Sequence, residues 1–199
     1  MIRRLALKVA YHSGFLGAWH RRRNGRALTV LSLHRVLPES DPRWAGADPL
    51  YTVSSRFFEQ LLGWIVRHYS VVSLDDVLAA SEGTLRLPPC PLLITFDDGW
   101  ADNYAHALPL LRKFALPAVL FCAADAIDRH EGFYQERLVS AWLRGRLAND
   151  VLQSLWRDAG VPSGEVPADA TLPESVRSLV ARLQAIEPGK RARLLEPLA

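Results

Sequence analysis

Cysteine is scarce in this chain: Cys90 and Cys122 are the only two in 199 residues. That excludes a disulfide scaffold, and neither has a CxxC or Cys/His neighbour that would mark a thiolate metal site. Both sit in or beside apolar runs and read as buried free thiols. No apolar run approaches the length of a membrane span. Acidic residues are missing altogether from residues 1–38, which carry eight Lys or Arg, whereas residues 39–199 carry sixteen basic and twenty-one acidic side chains. The net charge of +3 therefore belongs to an N-terminal arm, and the body is mildly acidic. One basic cluster without a recognition motif argues against a nucleic-acid partner.

The opening MIRRLALKVAYHSGFLGAWHRRRNGR has a basic start but no signal-peptide core. His12, Ser13 and Gly14 interrupt its apolar stretch, and no A-x-A cleavage site follows. The chain is accordingly expected in the cytoplasm, at most peripheral to the inner membrane. Ile2, Leu5, Val9, Phe15, Leu16 and Trp19 share one helical face, flanked by Arg3, Arg4, Lys8 and Arg21 to Arg23. Residues 1–27 thus read as a basic amphipathic helix or arm. It would either lie on an anionic membrane surface or pack on the protein's own body.

What is present after the arm is an alternation of strand and helix signals. ALTVLSLHRVLPE is an apolar, β-branched run predicting a strand over about residues 28–34. Residues 38–50 read as a loop, and Ser54 as the cap of a helix with Phe57, Phe58, Leu61, Leu62, Ile65 and Val66 at helical spacing. YSVVSL (69–74), PLLITF (91–96) and PAVLFCAA (117–124) read as further strands, with a short helix over 75–80 and a Leu-rich helix after residue 100. Alternation without hairpin signals predicts βαβ units and a parallel sheet or barrel. From Phe133 onward only helical patterns recur, including a Thr171-Leu172-Pro173-Glu174 capping box. No internal repeat or low-complexity tract is present.

The chemistry-bearing stretch is LLITFDDG at 92–99. Asp-Asp-Gly suits a turn, because Asp bonds its own backbone and Gly accepts positive φ. It also places two carboxylates at the carboxyl end of a parallel strand, where open α/β folds keep their ligand sites. His34 ends another strand on the same side and is a candidate contact to substrate or metal, or a structural hydrogen-bonding residue. Trp100 could stack on a ligand ring or simply pack. Asp102 reads as a helix cap, and His106 as a surface or packing residue.

The wider stretch LLITFDDGWADNYAHALPLLRKFALPAVLFCAADAI resembles the first motif of the polysaccharide deacetylases, the NodB-homology carbohydrate esterases, with the helix and strand that follow it. VLSLHRVL and FFEQLLGWIVRHYSVVSLDDVL resemble the family's opening strand, first helix and second strand. The resemblance covers about residues 28–130. It implies the N-terminal half of a (β/α) barrel at 28–130, with about four parallel strands, and a helical insert or extension at 131–199.

By the same resemblance the activity is metal-dependent removal of acetyl groups from N-acetylated oligo- or polysaccharides. Asp97 matches the general base and Asp98 the ligand of a divalent metal, commonly zinc; His34 and Trp100 are the substrate-contact candidates. The family's later H-[ST]-x-x-H motif has no counterpart among His12, His20, His34, His68, His106 and His130. Nor have its later Arg-Pro and Leu-x-x-His motifs. The reading is therefore a truncated deacetylase, and a second polypeptide could complete the barrel. Its rivals are a non-catalytic remnant with a carbohydrate-binding surface and a peripheral membrane adaptor.

Overall fold

A computed structural model describes residues 13–127 and 132–196. Ile2, Leu5 and Val9 of the basic arm, and His130 and Glu131, lie outside the described residues. The chain divides into two compact units, one comprising Met1–Pro38 with Val53–Ala123 and the other Glu39–Thr52 with Ala124–Ala199.

The first unit opens with helix α1 (Phe15–Asn24), strand β1 (Thr29–Leu33) and strand β2 (Arg35–Leu37), and β2 pairs with β3 (Thr52–Ser54). Helix α2 (Ser55–His68) begins where the sequence predicts, with Ser54 Oγ accepting from the Phe57 amide at 3.1 Å. Its buried Phe58, Leu62 and Ile65 fall at helical spacing on one stripe. Strand β4 (Ser70–Val71) and helix α3 (Leu74–Ser81) follow, and α3 starts in a true capping box between Ser73 and Asp76.

Strand β5 (Pro91–Phe96) is the centre of the sheet, and all six of its residues are buried. β1 runs parallel to it from Thr29 opposite Leu92 to Leu33 opposite Phe96. β4 pairs parallel with its start, and β6 (Val119–Leu120) pairs parallel with its end, opposite Thr95 and Phe96. This is the four-strand parallel α/β arrangement expected from the sequence. A continuous apolar run with no alternation suits a strand covered on both faces. Pro91 costs the sheet little at the first strand position. The Phe58 ring meets the edge of Phe96 at 5.8 Å, which fixes α2 against the carboxyl end of β5.

After β5 the chain turns into a single π-helical turn, Asn103–Ala107, and then helix α4 (Leu108–Lys113), which carries Pro109 in its first turn. Both cysteines are free, but they are not the buried thiols expected: Cys122 is exposed and Cys90 only half-buried. Each lies just outside a strand rather than within it. Cys90 precedes β5 in a positive-φ conformation, and Cys122 follows the short β6.

The second unit contains helices α5 (Tyr134–Leu143), α6 (Asn149–Asp158), α7 (Pro173–Gln184) and α8 (Pro188–Leu195). Leu138, Leu152, Val176, Leu179 and Leu183 form the middle of its core. The capping box expected at Thr171 is not made. The Thr171 amide and hydroxyl both donate to Asp169 Oδ1, at 3.0 and 2.5 Å, and Leu172 occupies the capping position of α7. The nearer carboxylate, two residues upstream, wins the hydroxyl in an Asx turn.

Candidate functional site

The site is built where β5 ends. The Asp97 amide still donates to Leu33 O at 2.9 Å, so Asp97 is held in register with β1. One step later the backbone leaves the sheet: Asp98 has φ 74° and Gly99 φ 77°. Asp and Gly are the residues that tolerate this left-handed region best. At Gly99 a second constraint applies, since a Cβ would stand 3.4 Å from Cys122 Cα and 3.2 Å from its Sγ. The turn is therefore wedged against Cys122, two residues past the end of β6.

The two carboxylates have different surroundings. Asp97 Oδ2 accepts a 2.7 Å hydrogen bond from Ser32 Oγ on β1 and lies 4.0 Å from His34 Nε2. Asp98 Oδ2 accepts from Trp100 Nε1 at 3.3 Å. Behind the turn, Arg35 Nε on β2 donates to Asp102 Oδ2 at 2.8 Å, with side-chain exposures of only 5% and 0%. The Arg35 guanidinium also covers the Trp100 ring, its Cζ 4.2 Å from the ring centroid.

Asp97, Asp98 and Trp100, from one stretch of the chain, thus gather with His34, from another, at one strand end. Ser32, Arg35 and Asp102 join them and are not evident from motif reading. A cation inside the apolar run VLSLHRVL was the available signal, because a buried charge must find a partner. Asp102 is a correction: it makes no cap, and its carboxylate is committed to Arg35. Its place in the turn ahead of the π-helical segment points it back at β2 rather than at the helix amides. His106 is half-buried within the π-helical turn.

Among the described residues no three His, Cys, Asp or Glu side chains come together as a cluster able to hold a metal ion. A catalytic zinc takes three protein ligands, and the turn offers carboxylates with hydrogen-bond donors beside them. The residues described do not by themselves fit the group.

Fold and site together define a parallel α/β protein with paired carboxylates at a strand's carboxyl end. Residues 86–166 match the family model for polysaccharide deacetylase. It is 38% identical over 135 residues to YxkH of Bacillus subtilis (strain 168), classed by name with the polysaccharide deacetylases; the match takes in 67% of this chain and 45% of that protein. It is 27% identical over 100 residues to the poly-beta-1,6-N-acetyl-D-glucosamine N-deacetylase of Escherichia coli (strain K12), across 50% of this chain and 14% of that one. Among solved structures, the BpsB deacetylase domain from Bordetella bronchiseptica aligns with 31% identity and a TM-score of 0.40, over 55% of this chain and 42% of that one. The chain spans less than half the length of the curated relatives it matches.

Proposed function

We propose that this chain carries the carboxylate half of a carbohydrate N-deacetylase site. Its substrate class would be N-acetylated oligo- or polysaccharide, and its reaction hydrolysis of the acetamide. The observation that carries the reading is Asp97, anchored by Ser32 at 2.7 Å at the carboxyl end of β5 with His34 at 4.0 Å. An ionised carboxylate there can take the proton of a water attacking the acetamide carbonyl, the task of a general base. His34 and Trp100 border the same spot and are the proposed substrate contacts.

Asp98 is the one carboxylate at the family's metal position. A complete zinc site would need ligands beyond the described residues. The histidine spacing supports a second reading, a sugar-binding but non-catalytic chain. Saturation-transfer NMR with N-acetylglucosamine oligomers tests both, since each requires binding that Trp100→Ala or His34→Ala weakens. No transfer to the sugar would remove both. Acetate release, expected only where ligands outside the described residues complete the metal site and abolished there by Asp97→Asn, separates the enzyme from the binder.

A peripheral membrane contact is proposed for the arm. Phe15 and Trp19, four residues apart on α1, are 64% and 49% exposed, with Arg22 and Arg23 exposed on the next turn. Apolar rings beside arginines suit an anionic surface such as the inner leaflet. No described helix is long and apolar enough to cross a membrane. Co-sedimentation with phosphatidylglycerol vesicles, lost on Phe15→Ala/Trp19→Ala, tests the contact; equal binding to neutral vesicles would remove the electrostatic part.

A further inference from the structure

Arg35 and Asp102 are a buried ion pair, 2.8 Å apart. Such a pair is weak evidence for stability, since desolvation offsets much of its attraction, and well-packed apolar residues often serve as well. Its geometry reaches further than the pair. The guanidinium is planar, and its face lies on the indole of Trp100 at 4.2 Å. The edge of that same indole donates Nε1–H to Asp98 Oδ2 at 3.3 Å. Three links therefore run without a gap from Asp102, through Arg35 and Trp100, to the carboxylate at the tip of the turn.

We propose that Arg35 is a positioning residue for Asp98, acting through Trp100. The inference rests on the reading of Asp98 as a functional carboxylate and adds what holds it. Asp98 is at φ 74°, on a turn exposed to solvent on one side, where side-chain rotamers are free unless something selects one. The indole selects one by donating to a single oxygen. The indole cannot swing away without leaving the cation beneath it, and Asp102 pins that cation. Lysine would keep the charge and a bond to Asp102, but it has no planar face to seat the ring. Trp100 thus has one ring face held by the cation and its N–H held by the carboxylate, so the two contacts together fix its tilt.

The test is two-dimensional NMR of the full chain labelled with nitrogen-15 and carbon-13, the Trp100 indole peak being assigned by its loss in Trp100→Phe. Asp98→Asn is expected to shift that peak by replacing its charged acceptor. Arg35→Lys is expected to shift it as well, and to raise the exchange of that indole proton with water by about threefold or more as the local structure opens. An indole peak that responds to Asp98→Asn but not to Arg35→Lys overturns the proposal. So does a peak indifferent to both. Should Arg35→Lys fail to fold, Trp100→Phe carries the question. It retains a ring under the guanidinium and removes only the donor, so the Asp98 carboxylate carbon should move and that of Asp97 should not; an unmoved Asp98 overturns it. None of these signals depends on sugar binding, metal or acetate release. A chain that binds no sugar would sink the functional reading and leave the linkage intact, and the reverse holds equally.

Discussion

Ser32 and Asp97, sixty-five positions apart, are joined by a 2.7 Å hydrogen bond from the serine hydroxyl to the carboxylate. The bond exists because β1 and β5 are parallel and in register, Ser32 lying opposite Thr95, two residues before Asp97. The ladder fixes the backbone and the hydroxyl then fixes the carboxylate. Replacing Ser32 with Ala removes one charge-assisted bond at a partly exposed position. We predict a loss of about 0.5–1 kcal/mol in urea unfolding, below the roughly 1.5–3 kcal/mol of bonds to charged groups because water can replace the donor. A loss below measurement would mean that the ladder alone holds Asp97.

Gly99 is the second test of the turn. An Ala there meets both a left-handed φ of 77° and the Cys122 main chain at 3.4 Å. The conformational part alone costs about 1–2 kcal/mol, and the contact with β6's trailing residue adds to it. Gly83 has the same φ of 77°, and a Cβ added there would meet nothing within 4 Å, so Gly83→Ala should cost only the conformational part. The difference between the two melts isolates the wedge against Cys122. Equal losses would remove it.

The strands, the helix cap at Ser54 and the carboxylate pair were legible because each is written locally. β5 is a six-residue apolar run, Ser54 stands ahead of a helical stripe, and Asp-Asp-Gly announces a turn. Arg35–Asp102 was not legible, because nothing in either residue's neighbourhood names a partner 67 positions away. Asp102 looked like a cap for the same reason that Thr171 did: both have the right residue type at the right distance from a helix. In each case a competing partner, Arg35 or Asp169, took the side chain. The exposure of Cys122 was missed because β6 is two residues long, where an eight-residue apolar run suggested a longer strand.

Helix α3 supplies a pH-dependent prediction. The Asp76 carboxylate accepts from the Ser73 hydroxyl at 2.7 Å and from its amide at 2.9 Å, and these bonds hold its pKa below the ordinary 3.8. A carboxyl whose pKa is lower folded than unfolded stabilises the fold above its unfolded pKa, and that contribution disappears as pH falls through the folded value. Ser73→Ala should therefore lower the melting point at pH 7. The gap from the parent should narrow below about pH 4, as the carboxyl of the variant and then of the parent becomes protonated. A gap constant from pH 7 to pH 3 would assign the whole effect to the Ser73 hydroxyl accepting from the Asp76 amide.

Zinc affinity follows from the ligand set. With no cluster of three ligating side chains among the described residues, the chain should retain well under one equivalent of zinc through dialysis. It should also release no measurable acetate from N-acetylglucosamine oligomers. One equivalent retained, and lost in Asp98→Ala, would show that ligands outside the described residues complete the site.

The last prediction returns to the carboxylate pair. As turn formers, Asp97 and Asp98 are replaceable by Asn, which bonds the same backbone groups, tolerates the left-handed φ of residue 98, and can accept from Ser32 and Trp100. A double replacement would then leave stability unchanged. As a functional pair they are neighbouring negative charges kept despite their repulsion. For neighbouring unit charges a few ångströms apart at an effective dielectric between 20 and 80, such repulsion is worth about 1–4 kcal/mol. Salt and the open side of the turn reduce it toward the lower figure. The double Asn variant should therefore melt higher than the parent in chelator, by about 2–4 °C for each kcal/mol at this chain length. Adding salt should shrink the difference, because only the charged parent gains from screening. A midpoint equal to or below the parent's would make the pair a turn and nothing more. A rise that salt erases identifies two carboxylates held together at the expense of stability, as active-site groups commonly are.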